Sequence, residues 1–530
     1  MAHAQDERGD IGSSRRRQWI VLGAILILGA LLRIWHADFG LPAYYHPDER
    51  VASEQVARFL HGDLTLTTYH HPPLIKAVAF FGLSAWRAIH DIPWSKVQDA
   101  AHATIRIVSL VFGVLSVLVL YRLCTAFLPV AWALFAALLW AVMPLPVFVS
   151  KYGVPDSMLT FFVILTLWLL VRMARTRSMG LYFLSGLCLA LGFGSKYQAG
   201  LLFVSFVVAH VHASRTTPQF RKALFDAKRL LLFASGAMLG LLPAFFFLLS
   251  GGWSDFWQSL LFEKNHIIDY GHHYGSIMTT GSSFYVFHFL RSMLPLDGPL
   301  LTLLMAAGAV RLVVRHRAGD QIVLGMLIPY YAAIESVYKV PVNYEHYVLP
   351  ILPLYVLAAV VLCKSLWDRL SARIRPDAVR AAILSAAGLC LACFPVYKTA
   401  TMLGDMQPDT RDTARAWIEK HIPEGSTILI PQWDISGYYP DVDRETYRVL
   451  LPQRVDIRAL RSSPLIDHVL LSSFITDRFL ENPDQVPATT QYYREIMEKG
   501  KLIFEVKSAR GSFLIHNPII RIYRLDRGSP

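Results

Sequence analysis

Apolar residues in this chain are gathered into long, nearly unbroken blocks instead of recurring at every third or fourth position. Examples are 19–35 (WIVLGAILILGALLRIW) and 296–314. Such blocks have the length, about 17 to 25 residues, that a helix needs to cross a hydrocarbon layer. Hydrocarbon offers no water to backbone amides and carbonyls, so the blocks must be helical. The pattern predicts a mainly α, polytopic membrane protein with about eleven spanning helices. They are expected near 19–36, 104–121, 129–149, 157–173, 180–196, 198–213, 230–250, 296–314, 321–338, 346–363 and 380–398.

Two regions break the pattern. In 37–102, the segments 47–61 (PDERVASEQVARFLH) and 73–90 (PLIKAVAFFGLSAWRAIH) read as amphipathic helices lying at the interface, with Pro47 and Pro73 suited to a first helical turn. Residues 400–530 are polar enough to form a soluble domain. A helix at 409–421 precedes an apolar run at 426–430 (STILI), with further strand candidates at 468–474, 501–507 and 519–524 and a helix near 489–499. That alternation predicts a small α/β domain. The expected organisation is a basic tail over 1–18, a membrane domain over 19–399 and the α/β domain over 400–530.

Composition agrees. Hydrophobic residues make up 54% of the 530, charged residues 17%, and the mean hydropathy is +0.39. The net charge of +12 would suit nucleic acid if it were gathered on one face. Instead the basic residues fall between spans: Arg15–Arg17, Arg172/Arg175/Arg177, Arg215 to Arg229, Arg311/Arg315/Arg317 and Lys364 to Arg380. Counting crossings puts all of these clusters on one side, as the positive-inside rule requires. The same count puts 37–102, 251–290, 338–345 and 400–530 on the other, extracytoplasmic side. The chain is expected in the cell membrane with a cytoplasmic N-terminus. Arg33, Trp35 and His36 make a poor cleavage site, so the first block is expected to be retained as a helix. The five cysteines lie in or beside spans, without metal-type spacing.

Charge inside a bilayer is costly, about 2.5–3.5 kcal/mol per group at mid-span. Charged residues at the outer ends of spans are therefore candidates for chemistry. Asp48 and Glu49 follow the first span in YYHPDER, and Arg106 opens the second in ATIRIVSLVFG. Asp156 opens the fourth in SKYGVPDSMLTFF, and Lys196 closes the fifth in LGFGSKYQAG. All face one side at similar depth: two cations and three carboxylates, suited to a phosphate and a proton acceptor. Each residue also has a structural role that fits it. Acids in a first turn meet the helix dipole, and Arg106 or Lys196 could reach headgroups by snorkelling.

The motifs HPDE at 46–49, HHPPLIK at 70–76, IRIVSLVFGVLSVLVLYRL from Ile105, KYGVPDSMLTFF at 151–162, LALGFGSKYQAGLL at 189–202 and YEHYVLPILPLYVL at 344–357 resemble the GT-C class of polytopic glycosyltransferases. More narrowly, they resemble glycosyltransferase family 39, with its bacterial protein O-mannosyltransferase and lipid A aminoarabinose transferase relatives. The likeness runs over roughly 37–360. It implies an inverting transfer of sugar from a polyprenyl-phosphate donor to an acceptor hydroxyl on a protein, glycolipid or polysaccharide. Asp48 would be the general base, with Glu49 and Asp156 orienting it or raising its pKa by like charge. Arg106, Lys196, His71, Tyr152 and His346 would bind the donor phosphate, with Arg106 and Lys196 stabilising it as charge develops. His346 stands where relatives often have arginine, and His70–His71 where some have an acid–lysine pair.

A divalent metal ion near the phosphate would have His70, His266, His272 and His273 as candidate ligands. Ordinary loop or interfacial histidines without a ligand role account better for these positions. Two other function classes fit part of the pattern. A secondary transporter for a polar or anionic solute also carries charge in its spans, but usually with inverted repeats and helices broken at mid-bilayer. A membrane anchor bearing a C-terminal binding module would leave Asp48 without a role.

Overall fold

A computed structural model of the chain describes residues 2–66, 69, 71–250, 253–264, 286–336, 344–431, 437–451, 466–481, 483–484 and 487–525. Helix α1 (Ala2–Ile34) is followed by two helices outside the long apolar blocks, α2 (Pro47–Leu60) and α3 (Leu74–Arg87). Next come α4 (Val97–Cys124), α5 (Val130–Val142), α6 (Pro144–Val149), α7 (Asp156–Thr176), α8 (Met179–Ser195), α9 (Leu202–Arg215), α10 (Phe220–Leu224), α11 (Ala227–Ser250) and α12 (Trp253–Lys264). The helical part closes with α13 (Leu294–Asp297), α14 (Pro299–Arg315), α15 (Ala318–Ser336), α16 (Leu352–Ser371) and α17 (Asp377–Gly404).

Among the described residues six stretches are long and apolar enough to cross a membrane: Arg15–Ile34, Trp94–Cys124, Asp156–Thr176, Tyr197–Arg215, Phe220–Ala244 and Asp377–Gly404. Large apolar side chains on these and neighbouring helices, among them Leu31, Leu231, Leu303 and Leu389, stand exposed as lipid-facing residues do. The block expected to run unbroken over 129–149 is divided. Pro144 forces the residue before it out of helical geometry, and Met143 is extended at ψ 140°. Helix α5 therefore stops at Val142, and α6 restarts with Pro144 in its first turn.

Glycines set a close helix crossing between α8 and α11. A Cβ at Gly186 of α8 would lie 2.0 Å from the Phe233 carbonyl oxygen of α11, and one at Gly236 of α11 would lie 2.0 Å from that of Phe183. The two backbones touch because neither carries a side chain there, which is how membrane helices gain packing without a hydrophobic driving force. Helix α7 packs against α4, α8 and α9, while α2 and α3 lie on α4. These contacts bring the outer ends of α4, α7 and α8 to the first turn of α2.

The C-terminal part has α18 (Thr410–His421), α19 (Ser473–Leu480) and α20 (Pro487–Lys499) around a five-stranded sheet. Its strands are β1 (Thr427–Leu429), β2 (Arg448–Leu450), β3 (His468–Ser472), β4 (Lys501–Val506) and β5 (Ile520–Arg524), in the order β2-β1-β3-β5-β4. The β2, β1 and β3 pairings are parallel, and β5 joins β3 and β4 antiparallel. Ile418, Ile428, Leu470, Tyr493 and Ile522 belong to a core separate from that of the helices. Residues 473–474, expected in a strand, begin α19 instead, and β2 has no counterpart in the sequence reading. By contrast, Leu514 and Ile515 of this same part are buried in the core of the helical bundle.

Candidate active site

Asp48 and Glu49 occupy the first turn of α2. His46 caps that turn, its ring Nδ1 accepting the Asp48 backbone N–H at 3.2 Å, and Pro47 follows with its fixed φ. Successive residues on a helix point about 100° apart. The two carboxylates consequently face different surroundings.

Glu49 points inward and is buried. Arg106 of α4 meets it with both ends of its guanidinium, Nε to Oε1 and Nη2 to Oε2, each at 2.8 Å. Arg106 Nη1 donates to the carbonyls of Ala37 at 2.9 Å and Phe39 at 2.7 Å, so four of its five N–H groups have partners. The Gly153 N–H also donates to Glu49 Oε1, and His102 Nε2 lies 3.5 Å from Oε2. A side chain at 153 would meet Ile105 Cγ2 at 2.5 Å, so only glycine lets the backbone come this near. Burial alone would raise the Glu49 carboxyl, but the Arg106 charge and the His102 contact outweigh it and hold the group far below its usual range. The guanidinium expected at the lipid phosphate thus stands against Glu49 and the chain that leads to α2.

Asp48 is different. Its side chain is accessible to solvent although protein surrounds it on most sides, the combination shown by a residue lining a recess. Among the described residues its carboxylate accepts no hydrogen bond. Desolvation would raise this carboxyl, yet the charges of His46, His71, His346 and Lys196 together bring it below its ordinary value. Lys196, where α8 ends, binds Asp156, where α7 begins, with Nζ to Oδ1 at 2.9 Å, and both side chains are buried. The charges of His346 and His71 reach Asp156 as well as Asp48.

Five of the candidate residues, Asp48, Asp156, Lys196, His71 and His346, therefore lie near enough to one another to interact electrostatically. Glu49 and Arg106 form a separate buried pair. Tyr152 is packed beneath the capping residue, its ring 4.9 Å from that of His46. The candidate metal ligands His70, His266, His272 and His273 lie outside the described residues. Among the described residues no group of three or more His, Cys, Asp or Glu is placed to hold a metal ion.

Several contributors went unread in the sequence. His102 stands four residues before Arg106, one helical turn away on the same face, a visible signal. Lys151, in the motif around Tyr152, donates to the carbonyls of Leu32 at 2.8 Å, Arg33 at 3.0 Å and Trp35, closing the C-terminal end of α1. His516 and Arg411, described below, come from the C-terminal part, and no local pattern marks them.

What the arrangement offers is an ionised, unclaimed carboxylate beside a fixed ammonium and two or three imidazoles. An anion can be held there while a proton is taken. Residues 95–247 match the family model described as dolichyl-phosphate-mannose-protein mannosyltransferase. No curated protein matches the chain in sequence. Among solved structures, ArnT from Cupriavidus metallidurans bound to undecaprenyl phosphate matches at TM-score 0.50 and 14% identity, over 96% of this chain and 98% of that one. The archaeal oligosaccharyltransferase AglB from Archaeoglobus fulgidus, in complex with an inhibitory peptide and a dolichol-phosphate, matches at TM-score 0.53 and 14% identity, over 94% and 74%. The family match in the membrane helices and the shared fold over nearly the full length agree: the chain resembles glycosyltransferase family 39 within the GT-C superfamily of membrane glycosyltransferases.

Proposed function

We propose that the chain moves a sugar from a polyprenyl-phosphate donor to an acceptor hydroxyl at the extracytoplasmic face of the cell membrane. The observation that carries this reading is the accessible Asp48 carboxylate, free of hydrogen bonds among the described residues and facing Lys196, His71 and His346. The bound undecaprenyl phosphate and dolichol-phosphate of the two structural relatives support the donor class.

In this reading the acceptor oxygen attacks the anomeric carbon as its proton passes to Asp48. The new C–O bond forms while the bond from carbon to phosphate oxygen breaks, and the electron pair leaves with the polyprenyl phosphate. The Asp48 proton then returns to water. One displacement with one base inverts the anomeric centre. Lys196, held at one corner by Asp156, meets the charge gathering on the leaving phosphate, and His71 and His346 flank it. Arg106 and Glu49 act at one remove, by fixing the turn that bears Asp48. About eleven crossings would put the tail 1–18 in the cytoplasm, the catalytic membrane domain over 19–399, and the domain over 400–530 outside.

Purified chain in detergent micelles, given synthetic polyprenyl-phosphate sugars, tests this against a secondary transporter. Release of polyprenyl phosphate with no sealed compartment supports transfer. Activity only in sealed vesicles with a gradient would overturn it.

A further inference from the structure

The short loop that delivers Asp48 is held from two directions. Arg106 grips it from the helical bundle, and Lys151 closes the end of α1 from which it starts. From the other side come residues of the C-terminal part, more than 360 positions away. Tyr45 and His46, which precede Pro47, both belong to this second set of contacts.

Tyr45 is buried beneath Arg411, whose Cζ lies 3.9 Å from the Tyr45 ring centroid. Arg411 Nη1 donates to the Tyr45 carbonyl at 3.3 Å, and the Tyr45 hydroxyl donates to Asp412 at 2.5 Å. Arg411 itself has no exposed surface. It is braced by Asp409, with Nε to Oδ1 at 2.7 Å and Nη2 to Oδ2 at 2.9 Å, and by the Ile515 carbonyl at 2.8 Å. His46 is reached through one intermediate. Its ring leans on Tyr152, whose hydroxyl shares a 2.6 Å hydrogen bond with His516 Nε2. His516 is fully buried and packs 4.0 Å, centroid to centroid, against Phe39, at the start of the same loop. The neighbours of His516, Leu514 and Ile515, sit in the core of the helical bundle.

We propose that His516 and Arg411 are positioning residues for the Asp48 base, which makes the C-terminal part a support for the loop that carries it. The connection is short: His516 fixes the Tyr152 hydroxyl, Tyr152 supports the His46 ring, and the His46 Nδ1 holds the Asp48 backbone N–H at 3.2 Å. Replacing His516 with an apolar residue strands a buried hydroxyl, which must then shift towards another partner. A reacting group displaced by about 1 Å can lose about 10²-fold in rate, even when the change lies away from the chemistry. The inference rests on the transferase reading above.

The test uses the full chain in detergent with a panel of synthetic undecaprenyl-phosphate sugars, following release of undecaprenyl phosphate. It compares His516→Leu, His516→Gln, Arg411→Met and Asp48→Asn. His516→Leu is expected to lower kcat about 10- to 100-fold with the donor KM nearly unchanged. His516→Gln, which returns a polar atom close to the position of Nε2, should recover most of the loss. Arg411→Met should lower kcat in the same way. Hydrogen exchange in the segment 44–50 gives a readout independent of turnover, and it should quicken at least about tenfold in His516→Leu while the bundle helices keep their protection. Unchanged kcat, a loss confined to KM, or unchanged exchange in 44–50 would overturn the proposal. If Asp48→Asn keeps full turnover, or no donor is consumed, the transferase reading fails. In that case exchange in 44–50 still decides whether His516 holds the loop.

Discussion

Arg106 and Glu49 face each other as parallel forks, with both N···O distances at 2.8 Å and both side chains buried. This pair joins α4 to the first turn of α2 and so fixes where that turn begins. Breaking a buried pair by removing one charge typically costs about 3–5 kcal/mol, because the other is left uncompensated. Glu49→Gln and Arg106→Lys should each lower the thermal midpoint of the purified chain strongly. Lysine should fail to substitute because it lacks the planar fork. A midpoint within a degree of the unaltered chain would show that the pair does not hold α2.

The same pair sets an acid limit. Arg106 holds the folded Glu49 carboxyl far below its unfolded value of about 4.3. Its contribution to stability is therefore complete above that value and is lost as pH falls towards the folded value. Unfolding followed from pH 7 to pH 3 should steepen below about pH 4, and Glu49→Gln should flatten that part of the curve. An unchanged slope in the variant would assign the acid sensitivity to other carboxyls.

Neighbouring charges bring the Asp48 carboxyl below its ordinary value, so it is ionised near neutral pH, as the role proposed for it requires. The acid limb of kcat is expected below about pH 4. His71→Gln removes a neighbour that is positive at low pH, so the Asp48 carboxyl should rise and the limb should move to higher pH. A limb that moves down, or not at all, would place His71 away from the base.

Lys196 and Asp156 lie 2.9 Å apart at the ends of two adjacent helices. Lys196→Met should weaken binding of undecaprenyl phosphate and leave a buried Asp156 charge without its partner. The double variant Asp156→Asn with Lys196→Met should recover stability relative to Lys196→Met but not lipid binding. If the double variant binds the lipid as well as the unaltered chain, the ammonium is no phosphate ligand.

The membrane helices were legible because hydrocarbon demands long apolar runs, and few sequences satisfy that demand by accident. The break at Met143 was also written in the chain, in Pro144, but the span-length pattern ran over it. In the C-terminal part the strand expected over 468–474 runs two residues too far, because Ser473–Leu480 is helical where its apolar face packs beneath the sheet. The candidate site could be picked out by its charged residues, since each lies at a span end where charge is costly. Its pairings could not. Glu49 is 57 residues from Arg106, and Tyr152 is 364 from His516, and only the tertiary fold decides such partners. Arg106 reads as an unpaired cation in the sequence because the carboxylate it meets, Glu49, is far from it along the chain.

Asp48→Asn exchanges an acceptor of protons for a neutral amide of the same shape, at a position where no hydrogen bond among the described residues would be lost. Its single-turnover rate, with enzyme in excess over a polyprenyl-phosphate sugar and undecaprenyl phosphate binding measured alongside, separates chemistry from donor capture. A rate at least about 10²-fold below that of the unaltered chain, with lipid binding kept, is the expected result. Equal rates in a folded variant would contradict it and remove Asp48 from the reaction.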